Sequence, residues 1–319
     1  MPSRQQSAIC LNGGGGATIN PTEPSGFAAI GIASSRMDSL SRMRLRRGLI
    51  AVLLACATGV SSAEEKPLWE AGFGFFALTS PDYRGSDESR EYLLPLPYIV
   101  YRGDLFKVDR SGIYSRLFES DRVNLDLSAD AGVPVDSSKN TARQGMPNLD
   151  FVFEVGPALE ICLWQNCNGD RKLQFRLPVR AVFSTDFGSI ESRGGSAHPN
   201  LNFDIKNIGP GGGWNFGAAA GLLYATERYH DYYYEVAPAY ATSTRPAYDA
   251  RGGYSGSRVT LSLSKRFQRV WIGAFARHDY LDGAKFEDSP LVRSDHAFMA
   301  GLSVVWVLAE SELFVDVKD

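Results

Sequence analysis

The residues with most chemical potential in this 319-residue chain are four histidines, two closely spaced cysteines and a run of tyrosines. Their spacing argues against catalysis. His198, His230, His278 and His296 stand apart, with no paired ligand spacing and no expected helix to present one, so no metal set is readable. His278-Asp279 is an adjacent histidine–acid couple, and neighbours on a strand point to opposite faces. No serine sits in a nucleophile-elbow context. A serine–histidine–acid site assembled from distant strands and acting on lipid therefore ranks last among the functional readings. Cys162 and Cys167 have four residues between them. In an oxidising compartment they would close a small loop, with two free thiols as the alternative. The run Gly13–Gly16 has no Lys-Ser/Thr after it and no strand before it, so it does not cradle phosphate. No cofactor or metal is expected.

Compartment is argued from the N-terminal region. Arg42, Arg44, Arg46 and Arg47 precede the apolar run Leu49–Val60, and Ser61-Ser62-Ala63 supplies small residues before Glu64. This is the anatomy of a Sec signal peptide. The run is too short for a spanning helix, which needs about 20 residues. Residues 1–36 carry no usable periodicity and read as a non-native or disordered extension, with the signal at 37–63, a barrel at 64–308 and a tail at 309–319. Leu53-Leu54-Ala55-Cys56 also resembles a lipobox, although Leu54 is large for its place. Beyond residue 63 the balance is 27 basic against 34 acidic residues, which argues against a nucleic-acid partner.

From Trp69 onward the dominant period is two. In Lys172–Phe183, Leu173, Phe175, Leu177, Val179, Ala181 and Phe183 share one face, while Lys172, Gln174, Arg176 and Arg180 share the other. Residues 123–130, 201–206, 214–224, 258–264 and 298–308 alternate similarly, with turn clusters between such runs. Runs of about ten residues fit tilted membrane strands better than soluble ones. Every Tyr and Trp follows the signal, as aromatic girdles require. Hydrocarbon offers no partner to an open sheet edge, so such a sheet must close. The expected fold is all-β, an antiparallel transmembrane β-barrel of about 10–12 strands in the outer membrane of a Gram-negative bacterium.

With the apolar faces toward lipid, Asp126, Asp130, Arg176, Arg180, Asp204, Lys206 and Arg258 point into the lumen. They either pair and fill a narrow barrel or line a path for small solutes, and at this strand count filling is favoured. Read as a strand, Tyr232, Tyr233 and Tyr234 form part of an aromatic girdle, with a stacking surface for sugar or peptide as the sharper alternative. Gly72 and Gly74 read as strand-crossing and curvature positions rather than ligand contacts.

An ordered set of short motifs runs from about Phe73 to Trp306. It comprises Pro81-Asp82-Tyr83-Arg84-Gly85-Ser86, Leu94-Pro95-Leu96-Pro97, Tyr101-Arg102-Gly103-Asp104, Glu154-Val155-Gly156-Pro157 and Leu177-Pro178-Val179-Arg180-Ala181. Further along come Tyr229–Val236, Arg245-Pro246-Ala247-Tyr248, Gly252-Gly253-Tyr254 and Ser289-Pro290-Leu291-Val292. In these the chain resembles the MipA/OmpV family of outer-membrane proteins. The chain departs from the family pattern at Glu235, where a glycine is usual, and in continuing past Trp306, which leaves Trp306 and Phe314 as rival terminal aromatics. The resemblance implies a non-enzymatic scaffold that docks a murein lytic transglycosylase, and a murein synthase with it, at the inner face of the membrane. It also makes Asp82, Tyr83, Arg84 and Asp87 a candidate recognition loop. A narrow solute channel is the runner-up, and an adhesive role for extracellular loops stays open.

Overall fold

The computed structural model describes residues 64–102, 106–109, 112–120, 122–164 and 169–317. The expected signal peptide, the segment before it and Cys167 lie outside the described residues. Fifteen strands follow the period-two pattern. They are β1 (Glu64–Pro67), β2 (Trp69–Pro81), β3 (Ser89–Arg102), β4 (Phe106–Asp109), β5 (Gly112–Glu119), β6 (Val123–Gly132), β7 (Phe151–Trp164) and β8 (Arg171–Thr185). Then come β9 (Ile190–Ala197), β10 (Asn200–Ile208), β11 (Trp214–Ala225), β12 (Gly253–Phe267), β13 (Val270–Tyr280), β14 (His296–Glu310) and β15 (Phe314–Val317).

Consecutive strands pair antiparallel from β2 to β9, and β14 returns to β2. The break at His198-Pro199 splits one long strand into β9 and β10. β9 pairs the far half of β8 and the end of β11, while β10 pairs the near half of β8 and most of β11. The hydrogen-bonded circuit thus returns on itself, with twelve staves when β9 and β10 count as one, at the top of the expected range. Six of the described strands run 13 to 15 residues, enough to cross hydrocarbon at a tilt. Among the described residues no helix is long and apolar enough to cross a membrane.

Alternation puts Phe73, Phe75, Ile99, Val179, Leu201, Val259, Leu261 and Leu302 on the outer surface, exposed to a degree that only lipid accommodates. Gly72 and Gly74 allow close approach rather than mere curvature. A Cβ at either position would meet the Trp306 or Val304 carbonyl oxygen on β14 at 2.1 or 2.2 Å.

The two ends differ. Turns at residues 209–213 and 268–269 are short, and both described termini lie at that end, as at the periplasmic end of typical barrels of this kind. Within the tail, β14 runs to Glu310 and β15 pairs with β1 in a separate two-stranded ribbon. At the opposite end, segments 82–88, 133–150, 226–252 and 281–295 fold together into a cap. Its core is Tyr83, Val135, Leu149, Tyr234, Val236, Leu281, Phe286 and Leu291.

Candidate functional site

The cap holds the one α-helix among the described residues, α1 (Glu227–Tyr234), where sequence periodicity predicts extended chain. This corrects the girdle assignment of Tyr232, Tyr233 and Tyr234. Tyr234 is 1% exposed, its ring lies flat on Phe286 at 3.7 Å, and its hydroxyl donates to the Arg84 carbonyl at 2.9 Å. The Tyr232 hydroxyl accepts from the Asp150 amide, and the Arg193 guanidinium lies 4.3 Å from its ring. Tyr233 gives its carbonyl to Arg143. Burial overrides the β pattern here, because an eight-residue helix with no side-chain cap bond stands only through what it packs against. The outward aromatics near strand ends are instead Trp69, Tyr101, Trp306 and Phe267 toward the short turns, and Tyr224, Tyr280 and Phe298 toward the cap.

The candidate recognition loop is likewise structural in large part. Asp82 is buried, holds Arg90 in a two-pronged ion pair and accepts from Asn140 Nδ2 at 2.9 Å. The Tyr83 hydroxyl donates to the Leu291 carbonyl at 2.8 Å, and burial pushes its pKa up. Arg84 turns inward, and only Asp87 is exposed. Three segments distant in sequence are thereby pinned together by the Pro81–Ser86 motif.

His230 is not isolated in space. Its Nδ1–H donates to the Arg251 carbonyl at 2.5 Å, which leaves Nε2 to accept from Ser255 Oγ at 2.6 Å. A serine–histidine contact of this length is what an activated nucleophile needs. Here the third partner is a backbone carbonyl, and both side chains are sealed in the cap, at 0% and 1% exposure. Burial lowers the His230 pKa, so the ring stays neutral and works as a strut between α1 and β12. His278 and His296 also meet, with ring centroids 5.1 Å apart, but on the outer face, away from Asp279.

Beneath the cap lies a chamber of about 360 Å³ walled by β2, β6, β7, β8, β12 and β13. Three of the candidate lumen charges, Asp130, Arg180 and Arg258, line it. Arg258 Nε and Nη2 each contact one oxygen of buried Asp279 at 2.7 Å, and Arg84 Nε reaches the same carboxylate at 2.7 Å. Arg180 donates to Ser128 Oγ and lies 3.5 Å from Asp130 and 3.7 Å from Glu154, whose carboxylate also accepts from Ser196. Arg277 completes the set, between Phe275 and Met299.

Nearer the short turns, Arg176 pairs with Glu160 at 2.9 Å, and Asp126, Asp204 and Lys206 are half-buried on the same wall. Glu70, fully buried on β2, holds Arg102 and, across the lumen from β12, Arg266. Beside it Tyr98, Val100, Val305 and Val307 pack with Trp271 as an apolar filling. Of the seven expected lumen charges, Asp130, Arg180 and Arg258 line the chamber and Arg176 pairs with Glu160. Arg84 figures in the sequence reading as a loop residue rather than as an inward charge, while Glu70, Glu154, Arg277 and Asp279 escape it. β13 explains why for two of them, since Gly273, Ala274 and Ala276 blunt the contrast that would mark its faces. Cys162 is disulfide-bonded on the inward side of β7, while its expected partner Cys167 lies outside the described residues.

A closed antiparallel sheet with a lipid-facing belt and an ion-paired lumen defines the class, a transmembrane β-barrel of outer-membrane type. The chain belongs to the MipA family. Residues 73–308 match the family described as MltA-interacting protein MipA, as the motifs imply. Outer membrane protein OmpV of Vibrio cholerae serotype O1 is 28% identical over 244 residues, covering 75% of this chain and 86% of that one. Outer membrane protein Omp26La of Vibrio anguillarum is 26% identical with the same coverage. A solved outer membrane channel from Pseudomonas putida F1 overlays with a TM-score of 0.39 at 13% identity, covering 78% of this chain and 98% of that one.

Proposed function

We propose that this protein is an outer-membrane docking platform for murein-remodelling enzymes, binding a lytic transglycosylase, and through it a murein synthase, at its periplasmic end. The description of the family supports the class of partner. The observation that carries the location is the β1–β15 ribbon. It forms its own two-stranded sheet outside the barrel sheet, and Leu313 and Phe314 at the start of β15 are 61% and 52% exposed. Exposed apolar side chains clustered on a short ribbon are what a partner's surface packs against. In-cell crosslinking followed by purification from the outer membrane tests this. Murein hydrolases should be enriched over an unrelated barrel and lost from a Leu313→Asp/Phe314→Asp variant. Arrival without them in both cases removes the reading.

The chamber favours a second reading, a narrow solute channel. It predicts conductance steps in a planar bilayer, whereas a cap packed as tightly as this one predicts silence.

A further inference from the structure

Among the described residues the pairing around the barrel is thinnest between β3 and β6, where β3 meets β4 only at Tyr101 and Arg102, and β6 meets β5 only from Asn124 to Asp126. Among the described residues, Ser89–Val100 therefore has a strand neighbour only in β2, and Leu127–Gly132 only in β7. Above this gap the two banks are tied by Arg90 Nη2 donating to the Lys139 carbonyl at 2.9 Å and by the Thr141 amide donating to Glu88 at 2.6 Å. Below it sits the β4–β5 hairpin. The result, among the described residues, is a side window between β3 and β6.

An unpaired strand edge facing hydrocarbon costs several kcal/mol per orphaned group, so the window's chemistry is informative. Pro95 and Pro97 stand opposite Phe75 and Phe73 of β2. A proline keeps such a ladder intact only where its nitrogen points away from the partner, here toward the window. Two amide donors are thereby deleted from the open edge, which suits an edge meant to stay unpaired.

The window leads to the chamber, since Tyr92 on one bank and Asp130–Val133 on the other both line it. Inside, Asp279 serves Arg84 and Arg258, Arg180 serves Asp130 and Glu154, and Asp82 is held by Arg90. Arg277 is left over. Among the described residues it has no carboxylate partner, and its buried Nε has no hydrogen bond, nor does the buried Nε2 of His198 on the same chamber wall. The surrounding surface is apolar, with Phe275 stacked on Phe76 at 6.1 Å and Leu78 and Met299 nearby.

We propose that the chamber binds a membrane amphiphile with one anionic headgroup, a long-chain carboxylate being the simplest case. It enters sideways between β3 and β6 and sets its head against Arg277, with its tail toward the window. A guanidinium with a free N–H supplies the charge-assisted bond, and the paired carboxylates exclude cationic heads. This site is independent of docking at the other end of the barrel.

The test uses the full protein in lipid nanodiscs and dodecanoate carrying a photoreactive diazirine, with labelled peptides mapped by mass spectrometry. Saturable labelling is expected on β3, β6 and β13, reduced about tenfold or more in Arg277→Gln. The corresponding dodecanol should label none of them saturably. Ala131→Trp on the window's rim should slow labelling, while water-soluble hexanoate should not bypass that block. Labelling spread around the outer belt, unchanged by Arg277→Gln, or equal for acid and alcohol overturns the site. Hexanoate competing equally well with the rim blocked overturns the sideways route. Heat-modifiable gel mobility confirms folding. Should Arg277→Gln not fold, the acid–alcohol comparison on the wild type and Arg277→Lys, which keeps the charge, decide the matter.

Discussion

Ser255 and His230 show how a contact with catalytic geometry works as a brace. Removing the hydroxyl leaves a buried imidazole nitrogen without a donor, so Ser255→Ala should destabilise the cap by about 1–3 kcal/mol. Limited proteolysis of the cap segments, rather than global unfolding of the barrel, is the measurement that isolates it. Asp231, also on α1, behaves differently. Burial and the nearby Glu235, Glu227 and Asp249 carboxylates raise its pKa to about 6. A carboxyl that holds its proton more tightly when folded adds stability at low pH, lost as pH climbs from about 4 to about 6. Asp231→Asn should therefore be indistinguishable from wild type in cap proteolysis at pH 4 and more resistant at pH 8. Equal resistance at pH 8 would show the carboxyl to be unperturbed. Neither residue was assignable from sequence, because His230 owes its role to Ser255, 25 positions on, and Asp231 owes its shift to burial and to carboxylates that meet only once the run folds as a helix.

At the scale of elements, legibility follows the strength of alternation. β8, β12 and β14 are readable residue by residue because large apolar side chains alternate with charge or small groups. α1 is not, since a run of aromatics looks the same at either period and only packing on Phe286 decides. The break between β9 and β10 was equally hidden, as Pro199 marks it only once β8 and β11 are known to flank both halves. The prolines of β3 yield a counter-intuitive expectation. Proline normally weakens a strand, yet Pro97→Val would put a new N–H on the open edge with nothing to receive it. It should lower the barrel's resistance to urea in lipid. A gain in stability would mean that the edge is paired after all.

For the molecule as a whole, the cap and the packed lumen predict a barrel silent under applied voltage. Tyr234→Ala removes a ring buried against Phe286 and Tyr83, a loss of about 3–5 kcal/mol in a well-packed core. Conductance that emerges only in this variant would show that the cap is what seals the barrel, and steps in the wild type would favour the channel reading. The class and family were legible in the ordered motifs, and the cap explains why. Pro81–Ser86, Tyr229–Val236, Arg245–Tyr248 and Ser289–Val292 all converge there, so the most recognisable residues are those that hold four loops in one arrangement.

The β1–β15 ribbon has a bearing on assembly kinetics. The seam between β2 and β14 joins the two most distant strands of the ring, and its closure confines a long loop of chain. Once four residue pairs of the ribbon have formed, from Glu64↔Val317 to Pro67↔Phe314, β2 and β14 start only a few residues from a fixed point. Their meeting then becomes a local search, with register already set by the Leu68 amide on the Leu313 carbonyl and the Ser311 amide on the Trp69 carbonyl. The ribbon is in this sense a clasp, and loosening it would slow closure of the ring far more than it would weaken the finished barrel.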